Sequence, residues 1–141
     1  MSLAHFVSGA AQIRTFGISA SDVTAIDEWI EQVAARWNAD ERTAFRARLC
    51  VAELATNVLE HGARSESDHM VLTLRHTGDG LDIEFLDSLG FFDSTAKPAE
   101  TSSPRSEPGG LGLLLIRAYA EDLNYTNDGI YNRVRFKIRS S

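Results

Sequence analysis

The feature that most constrains the fold is a pair of alternating stretches, MVLTLRH (70–76) and LDIEFLD (81–87), joined by Thr77–Gly80. The period of two predicts two strands, and the short glycine-containing connection predicts that they form a β-hairpin. One side of the second strand carries Leu81, Ile83 and Phe85. Asp87 continues that side, which favours a carboxylate pointing into a pocket at the sheet edge. A strand-end aspartate that serves only a turn is the alternative.

Helical periodicity precedes the hairpin in two stretches. The first begins at the cap cluster 19–22 (SASD), runs through Asn38 and repeats apolar residues at helical spacing, namely Val23, Ile26, Trp29, Ile30, Val33 and Trp37. Asp40 opens a second helix, which Gly62 can end. Along it Phe45, Leu49, Ala52 and Thr56 alternate with arginines. An early strand is expected before both helices, at Ile13, Phe16 and Ile18.

A long irregular segment follows the hairpin, and it holds all three prolines. Loops of this length inside a compact domain are usually functional, so residues 88–109 are predicted to form a lid over a binding site. The apolar run 110–123 then predicts a buried helix, 124–126 a short strand, and 130–138 a last strand with its apolar face formed by Ile130, Val134, Phe136 and Ile138. The whole chain, 1–141, is therefore expected to be one α+β domain, a two-layer sandwich of a mixed, mostly antiparallel sheet with helices on one face.

Composition excludes several classes of protein. The net charge of −6 argues against direct nucleic-acid binding, and no apolar stretch approaches membrane-spanning length. The single cysteine, Cys50, can form no intrachain disulfide and lies in a helical, mostly apolar setting, which predicts a core residue in a reduced, cytoplasmic protein.

Three polar residues recur every four positions along the second helix: Glu53, Asn57 and His61. They share one helical face. Glu53 and His61 are too far apart along the axis to share a zinc ion, but an amide oxygen is a hard ligand that suits Mg²⁺, and a carboxylate one turn away can orient or deprotonate a hydroxyl. The alternative is a polar face that contacts solvent or another subunit.

A glycine cluster, Gly109-Gly110-Leu111-Gly112, directly precedes the last predicted helix. Free backbone N–H groups at a helix start form a site for anions, and glycine allows phosphate to approach closely. No lysine follows in the manner of a P-loop. A purely structural role at the helix entry is the alternative.

Taken together, these motifs resemble the GHKL ATPases, which have the Bergerat ATP-binding fold. Over about residues 10–138 the chain looks most like the anti-sigma-factor serine kinases. The resemblance implies ATP and Mg²⁺ as cofactors, Glu53 as general base and Asn57 as the Mg²⁺ ligand, while Asp87 would accept a hydrogen bond from the adenine amino group. It implies further nucleotide contacts by His61, Gly90, Gly109, Gly110, Leu111 and Gly112.

The resemblance also implies a function. The expected activity is phosphorylation of a serine on a STAS-type anti-sigma-factor antagonist, combined with sequestration of a sigma factor by a homodimer. One position departs from the family pattern: Leu89 stands where the family has glycine, although Gly90 follows at once. A side chain there would conflict with a left-handed backbone and crowd the base. A catalytically impaired adaptor of the same fold, either sensing nucleotide or independent of it, is therefore the alternative function.

Overall fold

A computed structural model describes residues 10–90 and 116–140 of the chain. In chain order the elements are β1 (Ala11–Phe16), α1 (Ala20–Arg36), α2 (Glu41–His61), β2 (Met70–Thr77), β3 (Gly80–Asp87), β4 (Glu121–Asn127) and β5 (Asn132–Arg139). A short helical stretch, 116–119, precedes β4. The expected α+β architecture is confirmed.

The sheet has five strands in the order β1-β2-β3-β5-β4, and all four neighbouring pairs are antiparallel. The predicted hairpin is β2 and β3, which pair from Thr77 opposite Gly80 to Met70 opposite Asp87. Gly80 is required where the hairpin passes β5, because a Cβ atom there would overlap the carbonyl oxygen of Ile138. The central strand β3 thus lies between its hairpin partner and a strand from the far end of the chain.

Helix α1 begins where the cap cluster predicts. The Ser19 hydroxyl oxygen accepts a hydrogen bond of 3.1 Å from the backbone N–H of Asp22. The face toward the sheet buries Ile26, Trp29, Ile30, Val33 and Ala34. Trp29 packs edge-on against Phe16 of β1 with 5.9 Å between ring centroids, which attaches the helix to the first strand.

Helix α2 packs on the sheet through a face other than the apolar row of its sequence. Its N-cap, Asp40, accepts hydrogen bonds from both the backbone N–H and the hydroxyl of Thr43. The buried residues are Thr43, Ala47, Cys50, Val51, Leu54, Ala55 and Val58. Phe45 is 55% exposed, because it lies outside the face that these buried residues form. The prediction that Cys50 is a core residue is confirmed.

Two boundaries near the C-terminal end differ from the predictions. Residues 121–123, expected to end a helix, belong to β4, where Glu121 pairs with Lys137 of β5. A register shift between Glu121 and Asn124, with Asp122 at a φ of 57°, explains why no strand alternation is visible there. Ile130 does not share the inner face of β5: it lies in the turn before the strand and is 67% exposed.

The hydrophobic core lies between the two helices and the inner face of the sheet. Its largest fully buried side chains include Phe85, Ile26, Ile30, Leu54, Met70, Leu72, Leu74, Leu81, Ile116 and Ile138. Asp87 and Asn132 continue the inner face beyond these apolar residues, and each is 1% exposed. A polar site therefore begins where the apolar core ends.

Candidate functional site

The structure places the three polar residues of α2 in the C-terminal half of that helix, on the face that the spacing predicts. The helix runs through His61 and ends at Gly62, whose φ of 83° allows its N–H to bond the carbonyl oxygen of Val58. Glu53 and Asn57 are half-buried, and His61 is exposed. The row thus leads from the interior to the surface of the protein.

Glu53 retains its proton more readily than an ordinary glutamate. Burial raises its pKa first, and repulsion from Glu60 raises it further. Glu60 was not among the predicted site residues, although its position two turns along the helix places it on the same side as Glu53. A carboxyl group with a raised pKa is better suited to accept a proton from a hydroxyl group.

Asp87 ends β3 as a buried carboxylate. Its Oδ1 atom accepts a hydrogen bond of 3.0 Å from the backbone N–H of Leu89 and another of 3.0 Å from the side-chain amide of Asn132. Burial raises the pKa of Asp87. Part of that rise is offset by these two hydrogen bonds, by a third from the backbone N–H of Gly90, and by attraction to His61. The influence of His61 on the pKa of Asp87 indicates that the end of α2 lies near the end of β3.

Leu89 does not adopt the conformation that would require glycine. Among the described residues the only non-glycine positions with positive φ are Asn38 and Asp122, whereas Gly90 has a φ of 76°. Leu89 is 4% exposed and belongs to the hydrophobic core. The left-handed backbone lies at Gly90, one residue along the chain, so the backbone conflict expected at Leu89 is absent.

Sequence analysis missed Asn132, which lies directly opposite Asp87 in the β3–β5 register. A signal for it was available, because the period of two places position 132 on the same face as Val134, Phe136 and Ile138. An amide at an inward position needs a polar partner, and Asp87 supplies it.

The loop between α2 and β2 is attached beside Asp87. Asp68 accepts hydrogen bonds from the backbone N–H groups of Arg64 and Ser65 and from the hydroxyl of Ser88. These hydrogen bonds lower the pKa of Asp68, and the bond from the Arg64 N–H has the largest effect. Ser88 in turn accepts a hydrogen bond from the backbone N–H of His69. The residue next to Asp87 therefore holds this loop in place.

Part of the predicted site lies outside the described residues. These positions are Gly109, Gly110, Leu111, Gly112 and most of the predicted lid at 88–109. Within 10–90 and 116–140, no three His, Cys, Asp or Glu side chains are grouped so that they could hold a metal ion. Asn57 could supply a single amide oxygen to Mg²⁺, which commonly takes one or two protein ligands and completes its coordination with phosphate and water.

A separate cleft of about 400 Å³ lies on the outer face of the sheet and contains none of the predicted residues. Its charged side chains pair with each other across the strands: Lys137 lies 2.9 Å from Asp82, and Arg135 lies 2.9 Å from Glu84. These ion pairs neutralise the cleft, so the site at Asp87 remains the better candidate.

No helix in the described part of the chain is long and apolar enough to span a membrane.

Comparison with known proteins agrees with the fold. Residues 18–138 match the model of the histidine kinase-like ATPase domain. The serine/threonine-protein kinase BtrW of Bordetella bronchiseptica is 28% identical over 133 residues, which cover 90% of this chain and 94% of BtrW. A chain in the crystal structure of the SiaB-SiaC complex from Pseudomonas aeruginosa matches with a TM-score of 0.64 and 17% identity, over 96% of this chain and 93% of that chain. The structural match shows a shared fold, and the match of residues 18–138 shows that this chain belongs to the histidine kinase-like ATPase domain family.

Proposed function

We propose that this protein is an ATP- and Mg²⁺-dependent serine kinase of the anti-sigma-factor type. The observation that carries the proposal is the buried carboxylate of Asp87, which accepts hydrogen bonds from Asn132 and from the backbone N–H of Leu89 and lies near His61, at the end of the Glu53–Asn57–His61 face. The carboxylate of Asp87 can accept a hydrogen bond from the base of a nucleotide. Asn57, a hard ligand for Mg²⁺, and Glu53, a proton acceptor, suit the phosphate end. The likeness to BtrW, a serine/threonine-protein kinase, supports the same activity.

Each residue has a role that its chemistry permits. Asp87, an acceptor-only group when ionised, receives a hydrogen bond from the amino group of adenine. Asn57 contributes its amide oxygen to Mg²⁺, and His61 borders the nucleotide. Glu53, with its raised pKa, takes the proton of the attacking serine hydroxyl. ATP supplies the phosphoryl group, and Mg²⁺ would offset the charge on the phosphates.

The proposed nucleotide contacts also include backbone groups at Gly90, Gly109, Gly110, Leu111 and Gly112. Of these, Gly90 lies in the described part of the chain, and its backbone N–H bonds Asp87. The remaining four would contact the phosphates as the glycine cluster of the sequence suggests. Residues 88–109 would form the lid over them.

The proposed substrate is a serine of a STAS-type anti-sigma-factor antagonist, and the protein would also sequester a sigma factor as a cytoplasmic homodimer. Its fold is shared with a chain of the SiaB-SiaC complex, a two-protein assembly, which supports a protein partner for this chain. A nucleotide-sensing or nucleotide-independent adaptor is the second candidate function. The buried Leu89, a departure from the family glycine, is the observation behind that alternative.

Calorimetric titration with ATP and Mg²⁺ tests the proposal first. We expect saturable binding by the wild type and loss of the Mg²⁺-dependent part of it in Asn57→Ala, with Asn124→Ala on the outer face of the sheet as the control. Absence of binding at millimolar nucleotide would leave only the nucleotide-independent adaptor.

Labelled ATP and candidate antagonist proteins then separate a kinase from a sensor. Transfer of label to a serine that is abolished in Glu53→Gln identifies a kinase with Glu53 as the base. Binding of ATP without transfer identifies a sensor. Full transfer by Glu53→Gln would contradict the role given to Glu53.

A further inference from the structure

Asn132 and Asp87 form a buried polar pair between the two innermost strands of the sheet. They face each other directly in the β3–β5 register, and each is 1% exposed. The Asn132 side-chain amide donates to Asp87 Oδ1 at 3.0 Å. Burying an amide and a carboxylate together is favourable only when their hydrogen bonds are made, so the position of one restricts the position of the other.

The hydrogen bonds at Oδ1 leave one oxygen of Asp87 with more capacity than the other. Oδ1 accepts from Asn132 and from the backbone N–H of Leu89, which uses the two lone pairs of that atom. Capacity for a ligand, beyond what the bond from the Gly90 N–H uses, therefore lies on Oδ2. A carboxylate oxygen accepts an N–H donor and repels a carbonyl oxygen, so this atom distinguishes a purine with an amino group at position 6 from one with an oxo group at that position.

Asn132 is itself held in one orientation. Its Oδ1 atom accepts a hydrogen bond of 2.6 Å from the hydroxyl of Tyr125 and another of 2.7 Å from the side-chain amide of Asn127. Rotating the Asn132 amide by half a turn would face its NH₂ group toward two donors and its oxygen toward a carboxylate. The two neighbours therefore keep the NH₂ group directed at Asp87.

Asn127 is anchored at the same place by the backbone. Its side-chain NH₂ also donates to the carbonyl oxygen of Gly90 at 2.9 Å, and its side-chain oxygen accepts from the N–H of Gly129 at 2.7 Å. Both hydrogens of the NH₂ group are thus in use. The network joins the turn after β4 to the residues that follow Asp87.

We propose that Asn132, held by Tyr125 and Asn127, is the positioning residue that directs Asp87 toward the 6-amino group of adenine and so sets the preference for adenine over guanine nucleotides, which carry an oxo group at that position. This inference rests on the proposed function for its ligand. Asn132 acts through Asp87 and need not touch the nucleotide. Its contribution therefore differs from that of a residue that binds the base directly.

Titration of the full chain with ATP and with GTP tests the proposal. We expect Asn132→Ala to bind ATP about tenfold more weakly, the size of effect that loss of a hydrogen bond to a charged group produces, and to lose part of its preference for ATP over GTP. Tyr125→Phe, which leaves Asn132 in place but removes one of the two donors that hold its amide, should change both quantities in the same direction and less. Asn124→Ala, on the same strand as Tyr125 but exposed, is the matched control.

A second measurement requires no nucleotide. The hydrogen bond from Asn132 lowers the pKa of Asp87, so the pKa measured by carboxyl-carbon NMR should be higher in Asn132→Ala and in Tyr125→Phe than in the wild type. Asn124→Ala should leave it unchanged. If the Asn132 variant does not fold, Tyr125→Phe gives both readouts.

The two proposals fail in different ways. If the wild type binds no ATP, the proposed function falls, while the NMR titration still decides whether Asn132 positions Asp87. An unchanged Asp87 pKa in both variants overturns the positioning role. An unchanged ratio of ATP to GTP affinity in variants that fold and bind ATP overturns the role in specificity.

Discussion

The guanidinium of Arg48 on α2 donates hydrogen bonds to both carboxylate oxygens of Asp27 on α1, with distances of 3.0 Å from Nε to Oδ1 and 2.9 Å from Nη2 to Oδ2. This two-pronged contact joins the two helices, and Arg48 also lies 3.6 Å from Glu31 of α1. The side chains are 31% and 36% exposed, so water and salt screen the pair in part. The planar guanidinium fits the carboxylate better than a lysine would.

A double-mutant cycle on Asp27 and Arg48 should therefore give a coupling energy of about 0.5–1 kcal/mol that weakens in high salt. Urea denaturation of the wild type, Asp27→Ala, Arg48→Ala and the double variant measures it. The more exposed pair of Arg139 and Glu121 serves as the control and should couple less. A coupling energy near zero for Asp27 and Arg48 would show that this ion pair does not stabilise the contact between the helices.

Gly90→Ala should lower the free energy of unfolding by about 1–2 kcal/mol, because a Cβ atom is unfavourable at a φ of 76°. The atoms nearest to such a Cβ lie at 3.5 Å or beyond, so the cost comes from the backbone and not from a clash. Gly78→Ala is the matched control: its φ is not in the left-handed range and no atom lies within 4 Å, so its stability should change little. Equal stability of the two variants would contradict the conformation described at Gly90.

Leu89→Gly restores the residue type of the family, yet it should not improve ATP binding. Leu89 packs in the core, so removing its side chain should cost at least about 2–5 kcal/mol of stability, the range for truncating a buried leucine to alanine. Leu89→Met, which conserves volume, should cost less than about 1.5 kcal/mol. Thermal denaturation and ATP titration of both variants measure these effects. Tighter ATP binding by Leu89→Gly would show instead that the leucine obstructs the base.

The pH dependence of stability should report the raised pKa of Asp87. Because this pKa lies above the ordinary 3.8, the native state binds a proton more readily than the unfolded chain. The stabilisation is therefore fully present below 3.8 and is lost as the pH rises through the raised pKa. The stability of the wild type relative to Asp87→Asn should accordingly increase as the pH is lowered from neutral toward 3.8.

Asp79→Asn is a control for this titration, because the stabilisation by Asp79 depends on pH in the opposite direction. Hydrogen bonds from Lys137 and Thr77 lower the pKa of Asp79 to about 2, so its stabilisation is present above 3.8 and is lost as the pH falls toward 2. Between neutral pH and 3.8 the difference between the wild type and Asp79→Asn should stay constant. A constant difference for Asp87→Asn over the same range would contradict the raised pKa of Asp87.

Glu60→Gln should lower the pKa of Glu53, because it removes the repulsion that adds to the effect of burial. If Glu53 is the base, the acidic limb of the pH–rate profile for phosphoryl transfer should move to lower pH. Carboxyl NMR of Glu53 measures the same shift without a substrate. Glu66→Gln makes an equal change of charge in an exposed loop and should leave the profile in place.

Sequence patterns predicted the elements whose periodicity comes from the core. Ile26, Trp29, Ile30 and Val33 lie on the buried face of α1 as their spacing indicates, and the hairpin of β2 and β3 follows its alternation. The patterns were wrong where packing, and not apolar periodicity, determines which residues are buried. Phe45 continues an apolar row but is exposed, because residues at other positions of α2 form its buried face.

The candidate site likewise contains residues that the sequence patterns predicted and residues that they did not. Asp87 was predicted as inward-facing because it extends a row of core residues, and its burial confirms that orientation. Asn132 was missed because an amide in an apolar strand becomes informative only once its partner across the sheet is known. The β3–β5 pairing joins residues far apart in the chain, and no local pattern specifies it.

That pairing gives the Asp87–Asn132 contact a consequence for folding accuracy. Alternation of apolar and polar residues in β5 opposes a slip by one residue, which would turn every side chain to the wrong face, but it does not oppose a slip by two. A slip by two would set Val134 or Ile130 opposite Asp87 and leave a carboxylate buried without the amide that bonds it. The polar pair therefore penalises the mispairing that the hydrophobic pattern tolerates, and it selects the one alignment of the two strands in which the site can form.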